Sequence, residues 1–282
     1  MKKYYLGIFF IWIFLYSCRD SLGNFHPKLD ITNSLVVEGG INGFQTEQYI
    51  KLSQISNSST GSFNPIRNAK IHLKGNGITM DYLETSSPGI YRAKLPNKIT
   101  KSGVFVINIQ NGSINFQGVD TLYKGVSLKG TNFPFSLQKL NNGQVEITLP
   151  KHVFGQRHSY QWIISGPKDS LWSSNYFGNH FNIIYGHQFG IPNALYSLIG
   201  QSSKLVFNPT DSITIYKFNL SNQHGKYLYN LFQETDWKSF FSDVPVSVIG
   251  NISNNGQGFF SAEDVDQKKF KVLDLLGKTK FF

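Results

Sequence analysis

The chain has 282 residues, with 27 Lys and Arg against 17 Asp and Glu and a formal net charge of +10, yet charged residues make up only 16% of it and aromatics reach 15%. Average soluble proteins carry roughly 25% charged residues. The bases are mostly scattered lysines, densest at Lys268-Lys269-Lys271, with only Arg19, Arg67, Arg92 and Arg157 as arginines, which excludes the clustered Arg/Lys face of a nucleic-acid reader. Phe and Tyr favour strands, and the Asn, Ser, Thr, Gln and Gly that balance them favour turns, so the composition reads as β-rich.

In chain order, Met1-Lys2-Lys3 is followed by an apolar run from Tyr4 to Tyr16 and then by Ser17-Cys18. A short positive end, an apolar core of about a dozen residues and a small residue at the boundary describe a secretory signal peptide. A transmembrane helix needs roughly 20 apolar residues, more than this run supplies. Leu15-Tyr16-Ser17-Cys18 resembles the bacterial lipobox, although Tyr16 is bulkier than is usual at its position. Residues 1–17 are therefore expected to be removed as a lipoprotein signal peptide between Ser17 and Cys18, with lipid, palmitate included, attached at Cys18. No other cysteine exists in the chain, so no intramolecular disulfide forms, and cysteine catalysis is excluded once that thiol is acylated. The two or three acyl chains of a mature bacterial lipoprotein hold firmly to a membrane. Arg19 rather than Asp after the cysteine leans towards the outer membrane, without choosing between its periplasmic and outer face. Cleavage removes Lys2 and Lys3 and no acid, leaving +8 on the mature chain.

Residues 18–33 have no periodicity and read as a tether. From residue 34 to 123, short alternating runs recur: Leu35–Val37, Tyr49–Ser53, Ala69–Lys74, Thr79–Glu84, Ile90–Ala93, Val104–Ile109 and Ile114–Leu122. Gly, Asn, Ser and Pro separate them, and Asn111-Gly112 between two runs is a hairpin signal. Seven short strands in so short a span predict an immunoglobulin-like or transthyretin-like β-sandwich. The second region, 124–282, is expected to be a β-rich unit. Its strands are Gln144–Leu149, Tyr160–Ser165, Phe181–Tyr185, Lys204–Phe207, Ile213–Leu220, Val246–Ile252 and Gly258–Ala262, with a last near Phe270–Leu273. One amphipathic helix is predicted near 222–235, capped by Ser221, with Tyr227, Leu228, Leu231 and Phe232 on one face. The fold class is all-β in the main.

The chain contains no zinc-binding His-Glu-x-x-His, nucleophile elbow, P-loop or dinucleotide fingerprint. His152 and His158 lie six apart and His180 and His187 seven apart, neither a helical metal-ligand spacing, though strand pairing can still join histidines. Glu263-Asp264-Val265-Asp266 lacks the spacing of a calcium loop and reads as a solvated turn. Neither a metal nor a cofactor is expected, and no catalytic residue is assigned. Trp172, Tyr176, Phe177, Phe181 and Tyr185, with Asn175, Asn179 and Asn182 between them, combine aromatic faces with side-chain amides. That pairing suits a platform for a sugar or peptide, and it equally suits the core and rim of a β unit.

An ordered set of motifs carries a resemblance. It comprises Leu35–Ile41, Tyr49–Ser53, Asn68–Leu73, Gly89-Ile90-Tyr91, Tyr227–Phe232, Phe241–Pro245, Gly250-Asn251-Ile252 and Gly258–Ala262. Together they resemble exported lipoproteins of Bacteroidota that carry the domain of unknown function 4249. The resemblance spans nearly the whole mature chain. This sequence departs from the family by being short between about residues 125 and 215 and by lacking the extra cysteines of some members. The family's genes commonly neighbour those of TonB-dependent outer-membrane transporters. The resemblance thus implies a non-catalytic accessory or ligand-capturing partner of such a transporter, its ligand unknown. The alternatives are a structural or assembly protein of the cell envelope and, more weakly, a hydrolase.

Overall fold

The computed structural model describes residues 35–55, 64–129, 132–150, 152–166, 182–189, 202–235 and 248–276. The expected signal peptide, its Ser17–Cys18 junction and the tether lie outside these residues. Residues Ser34–Phe282 form one compact unit.

The chain is all-β, as its composition and patterning predict. Its strands are β1 (Val36–Asn42), β2 (Glu47–Gln54), β3 (Asn64–Pro65), β4 (Lys70–Gly75), β5 (Ile78–Glu84), β6 (Ile90–Lys94), β7 (Gly103–Asn111) and β8 (Ile114–Leu122) in the first half. In the second half they are β9 (Ser136–Lys139), β10 (Val145–Pro150), β11 (His152–Val153), β12 (Tyr160–Ser165), β13 (Asn182–Gly186), β14 (Ser202–Phe207), β15 (Ser212–Asn219) and β16 (Gln257–Lys271). The helices are α1 (Asn222–Glu234) and the single turn α2 (Val272–Leu275). One hydrogen-bonded path runs β11-β13-β12-β15-β16-β1-β2-β6-β5-β4-β7-β8, and β14-β10-β9 form a separate small sheet.

The first half is a β-sandwich. Its strands alternate strictly, as in Lys70–Gly75, where Ile71 and Leu73 are buried and His72 and Lys74 exposed. One buried cluster unites the inward residues of β1 and β2 (Val37, Ile41, Ile50, Leu52) with those of β4, β7 and β8 (Ile71, Leu73, Phe105, Ile107, Phe116), so two sheet faces share one core. β5 passes between the layers, pairing with β4 through Ile78–Tyr82 and with β6 through Leu83 and Glu84. The β4–β5 hairpin turns on Asn76 and Gly77, both at positive φ (49° and 74°), the pair that a tight hairpin turn demands. Asn111-Gly112 likewise marks the β7–β8 hairpin, whose last pair is Asn111 with Ile114.

Two buried polar devices fasten the sandwich. Tyr91, fully buried on β6, donates its hydroxyl to the Ile66 carbonyl at 2.8 Å and accepts from the Ala69 amide at 3.0 Å, tying the chain entering β4 to the opposite layer. Asn251 replaces a piece of strand. Its Nδ2 donates to the carbonyls of Val119 at 2.9 Å and Phe260 at 2.8 Å, and its Oδ1 accepts from the Phe260 amide at 2.9 Å. With the Ser253 amide donating to Gln117 O and the Asn254 side chain to Asn115 O, residues 251–254 cover the free edge of β8. This run comes so close to β16 that a Cβ at Gly250 would collide with the Gly258 carbonyl.

Residues 248–252 therefore carry only an isolated bridge, Ile252 to Gly118, instead of the strand expected over Val246–Ile252; Val246 lies outside the described residues. The C-terminal segment differs further. Gly258–Ala262 and the run near Phe270 are one strand of 15 residues, β16, which pairs in parallel with β1 through Gln257–Glu263 and antiparallel with β15 through Asp264–Lys271. Beyond Lys271 the chain turns helical instead of staying extended to Leu273. The expected solvated turn at Glu263–Asp266 is absent because its acids have partners. Asp264, 2% exposed, accepts from the amides of Gly125 (2.9 Å) and Val126 (3.2 Å) and pairs with the Lys124 ammonium. Asp266 accepts from the Leu128 amide at 2.7 Å. Burying such carboxylates is tolerated only with this saturation by donors.

β16 thus joins the expected regions 34–123 and 124–282 in one sheet. Their apolar cores stay separate, except that Ile252, Phe260 and Ala262 belong to the first. In the second region the sheet β11-β13-β12-β15 is buried on both faces. Trp162, Ile164, Ile184, Ile213 and Ile215 point to a core shared with the small sheet, while Ile163, Tyr185, Tyr216 and Phe218 point to α1. α1 begins where predicted, the Ser221 side chain accepting from the His224 amide at 3.0 Å.

Candidate functional site

The two faces of β11-β13-β12-β15 carry different chemistry because successive side chains alternate across a strand. On the α1 face, β11 pairs in parallel with β13 (His152 with Tyr185, Val153 with Gly186), which brings His152 beside His187 just beyond β13. His152 Nδ1 lies 3.2 Å from His187 Nε2, with the ring planes only 8° apart. Tyr185, Phe189 and Tyr229 surround His187, their ring centroids 5.2, 6.1 and 5.0 Å away. Burial, reinforced by the neighbouring His152, pushes His187 down to about 4, and burial also lowers His152. Both rings are therefore neutral near pH 7. The histidine that joins His152 is thus His187; His158 instead sets its ring edge against Tyr160.

Of the expected aromatic platform, Tyr185 is 1% exposed and part of the helix-packing core, its hydroxyl donating to the Gly225 carbonyl. It is therefore no open ligand-binding face. Trp172, Tyr176, Phe177 and Phe181 lie outside the described residues.

On the opposite face, where β12 and β15 meet the edge of the second core, there is a cavity of about 180 Å³. Tyr160 and Trp162 of β12, Lys217 of β15, Val153, Gln156 and Gly186 from the β11–β13 side, and Asn132 and Pro134 line it. The Lys217 ammonium lies 4.2 Å from the centroid of the Tyr160 ring and 4.9 Å from that of Trp162. Such cation–π contacts contribute about 0.5–2 kcal/mol, more as water is excluded. Burial lowers the Lys217 pKa and Asp266 opposes the shift. Asp266 lies across the β15–β16 pair from Lys217, but its carboxylate already accepts from Leu128. Among the described residues no carboxylate lines the cavity.

The sequence held one signal of this pocket. In Ile213, Ile215, Lys217 the lysine takes the inward phase of an apolar strand. The partners Asn132, Pro134, Gln156 and Gly186 come from segments far apart in the chain, and only the sheet topology gathers them. A second buried polar group holds the region where β8, β16 and α1 meet. Asp120 accepts from the Ala262 amide at 2.8 Å and from Ser221, and burial raises its pKa. His224 Nδ1 lies 3.1 Å from Glu263 Oε1, its ring stacked on Phe259 at 4.6 Å. These groups are closed off (Asp120 3%, Ser221 3% and His224 8% exposed) and act as struts.

No family model matches the chain, and no curated protein matches it. Among solved structures, it is similar to the chicken CNTN1 FN1–FN3 domains at 12% identity and a TM-score of 0.21, over 66% of this chain and 61% of that one. Nothing about function passes across so slight a likeness.

Proposed function

We propose that the protein is a lipid-anchored, non-catalytic binding module of the outer membrane, serving as accessory partner to a TonB-dependent transporter. The observation that carries the binding reading is the cavity at Tyr160, Trp162 and Lys217, where aromatic surface, two side-chain amides and a cation converge in a recess set on rigid strands. Binding sites are concave, mostly preformed and furnished with a few placed polar groups, which this recess matches. Attachment through Cys18 rests on the lipobox-like Leu15–Cys18 and on the absence of any competing cysteine. The transporter as partner rests on the resemblance to the domain 4249 lipoproteins.

Two measurements test this. Metabolic labelling with a palmitate analogue is expected to mark the parent chain and to fail with Cys18→Ser, which should also leave the membrane fraction. Labelling that persists in the variant would remove the anchor. Affinity capture from detergent-solubilised membranes is expected to recover a TonB-dependent transporter. Captures that repeatedly lack one would remove the partner.

A further inference from the structure

We infer that the Lys217 cavity selects a small monocarboxylate, the ligand's carboxylate pairing with the Lys217 ammonium and its body lying against Tyr160, Pro134 and Val153. The inference rests on the binding reading above and adds the ligand's chemical class.

The lining decides the sign of the ligand. Among the described lining residues, Lys217 is the charged group and offers only N–H donors, Asn132 and Gln156 offer N–H donors beside their carbonyl oxygens, and no acid shares the cavity. Among those residues Lys217 also has no carboxylate within ion-pair distance. Its partners are the two ring faces, which take one side of the ammonium, and the more distant charge of Asp266, already bonded to the Leu128 amide. An ammonium has three donors, and a half-buried one gains most from a charged acceptor. The rings hold the cation in place before a ligand arrives, which lowers the ordering cost of binding.

The lining also decides the magnitude of the charge. One cation matches one negative charge, whereas a phosphate dianion would bring uncompensated charge into a partly dry site. Size follows from volume. Drug-sized ligands occupy roughly 300–1,000 Å³, so about 180 Å³ takes a compact molecule such as a short organic acid or a single sugar acid.

The test uses the lipid-anchored protein, purified in detergent with 5-fluorotryptophan in place of tryptophan, and follows the Trp162 fluorine resonance, assigned by its loss in Trp162→Phe. Acetate, benzoate and glucuronate are titrated at constant ionic strength, with glucose and inorganic phosphate as the contrasting probes. Carboxylates are expected to move the Trp162 signal saturably. Lys217→Met should weaken them about tenfold or more, the effect of losing one charge-assisted contact, and Lys217→Arg should restore part of it. Far-ultraviolet circular dichroism and the urea midpoint report whether each variant is folded. Carboxylate titrations unaltered by Lys217→Met, or phosphate binding as tightly as the carboxylates, would overturn the inference. If glucose saturates the signal regardless of Lys217, the pocket still binds ligand and only the carboxylate class falls. If no probe moves Trp162, both readings fall.

Discussion

Replacing Asn251 by alanine removes three hydrogen bonds at once, and the structure allows the cost to be worked out group by group. The Phe260 amide and carbonyl lose their side-chain partner in a fully buried stretch of β16, whereas the Val119 carbonyl lies at an exposed edge where water can replace the bond. A typical hydrogen bond contributes about 0.5–1.5 kcal/mol net, and a buried group left unpaired costs about 1–3 kcal/mol. Two buried losses and one exposed loss give a destabilisation of about 3 kcal/mol. At roughly 2–4 °C per kcal/mol for a chain of this size, Tm falls by about 6–12 °C. Urea unfolding of Asn251→Ala beside the parent chain measures it directly. Asn251→Asp keeps one acceptor but sets a carboxylate against the Val119 and Phe260 carbonyls, so it should be at least as damaging near pH 7. Its stability should then recover partly in acid, when the added carboxyl can donate. A loss below about 0.5 kcal/mol in Asn251→Ala, the range of a neutral surface substitution, would refute the view that this side chain closes the sandwich.

Three further outcomes follow from the same geometry. His187, held down to about 4 against 6.5 when unfolded, binds fewer protons in the native state across that interval. Stability is therefore fully present above about pH 6.5 and declines as the pH falls towards about 4, with about 2 kcal/mol lost by about pH 5. Urea midpoints for His187→Gln should show a flatter slope between about pH 7.5 and about pH 5, and an unchanged slope would contradict the assignment. Tyr91→Phe strips the Ile66 carbonyl and the Ala69 amide of their shared buried partner and should destabilise by about 2 kcal/mol, read from the denaturant midpoint. Ser221→Ala removes both the cap of α1 and a donor to Asp120, so its loss should exceed the roughly 1 kcal/mol of a lost cap alone. A double-mutant cycle with Asp120→Asn, in which the two losses simply add, would show that the two groups are not coupled.

The motifs behind the family resemblance acquire physical roles in the fold. Gly250-Asn251-Ile252 combines a glycine that lets the chain reach the Gly258 carbonyl, an amide that substitutes for a strand and an anchor in the sandwich core. Tyr91, read only as part of a strand motif, is the buried tie between layers. Glu263–Asp266 resembles a turn in the sequence because three of its four residues are acidic. Their partners, Lys124 to Leu128 and His224, lie some 40 to 140 positions away in the chain, where no local pattern can reveal them.

By itself the sequence determined the all-β class, most strand positions, the hairpin at Asn111-Gly112 and the capped helix after Ser221. Each follows from side-chain alternation, turn chemistry or capping among residues close together in the chain. The tertiary structure alone decided that the C-terminal strand runs unbroken from one core to the other, that His152 meets His187, and that Lys217 faces Tyr160 and Trp162 in a recess that no acid lines among the described residues. These outcomes depend on which strands become neighbours. That choice is made by the burial of whole faces at once and leaves no mark in any short stretch of residues.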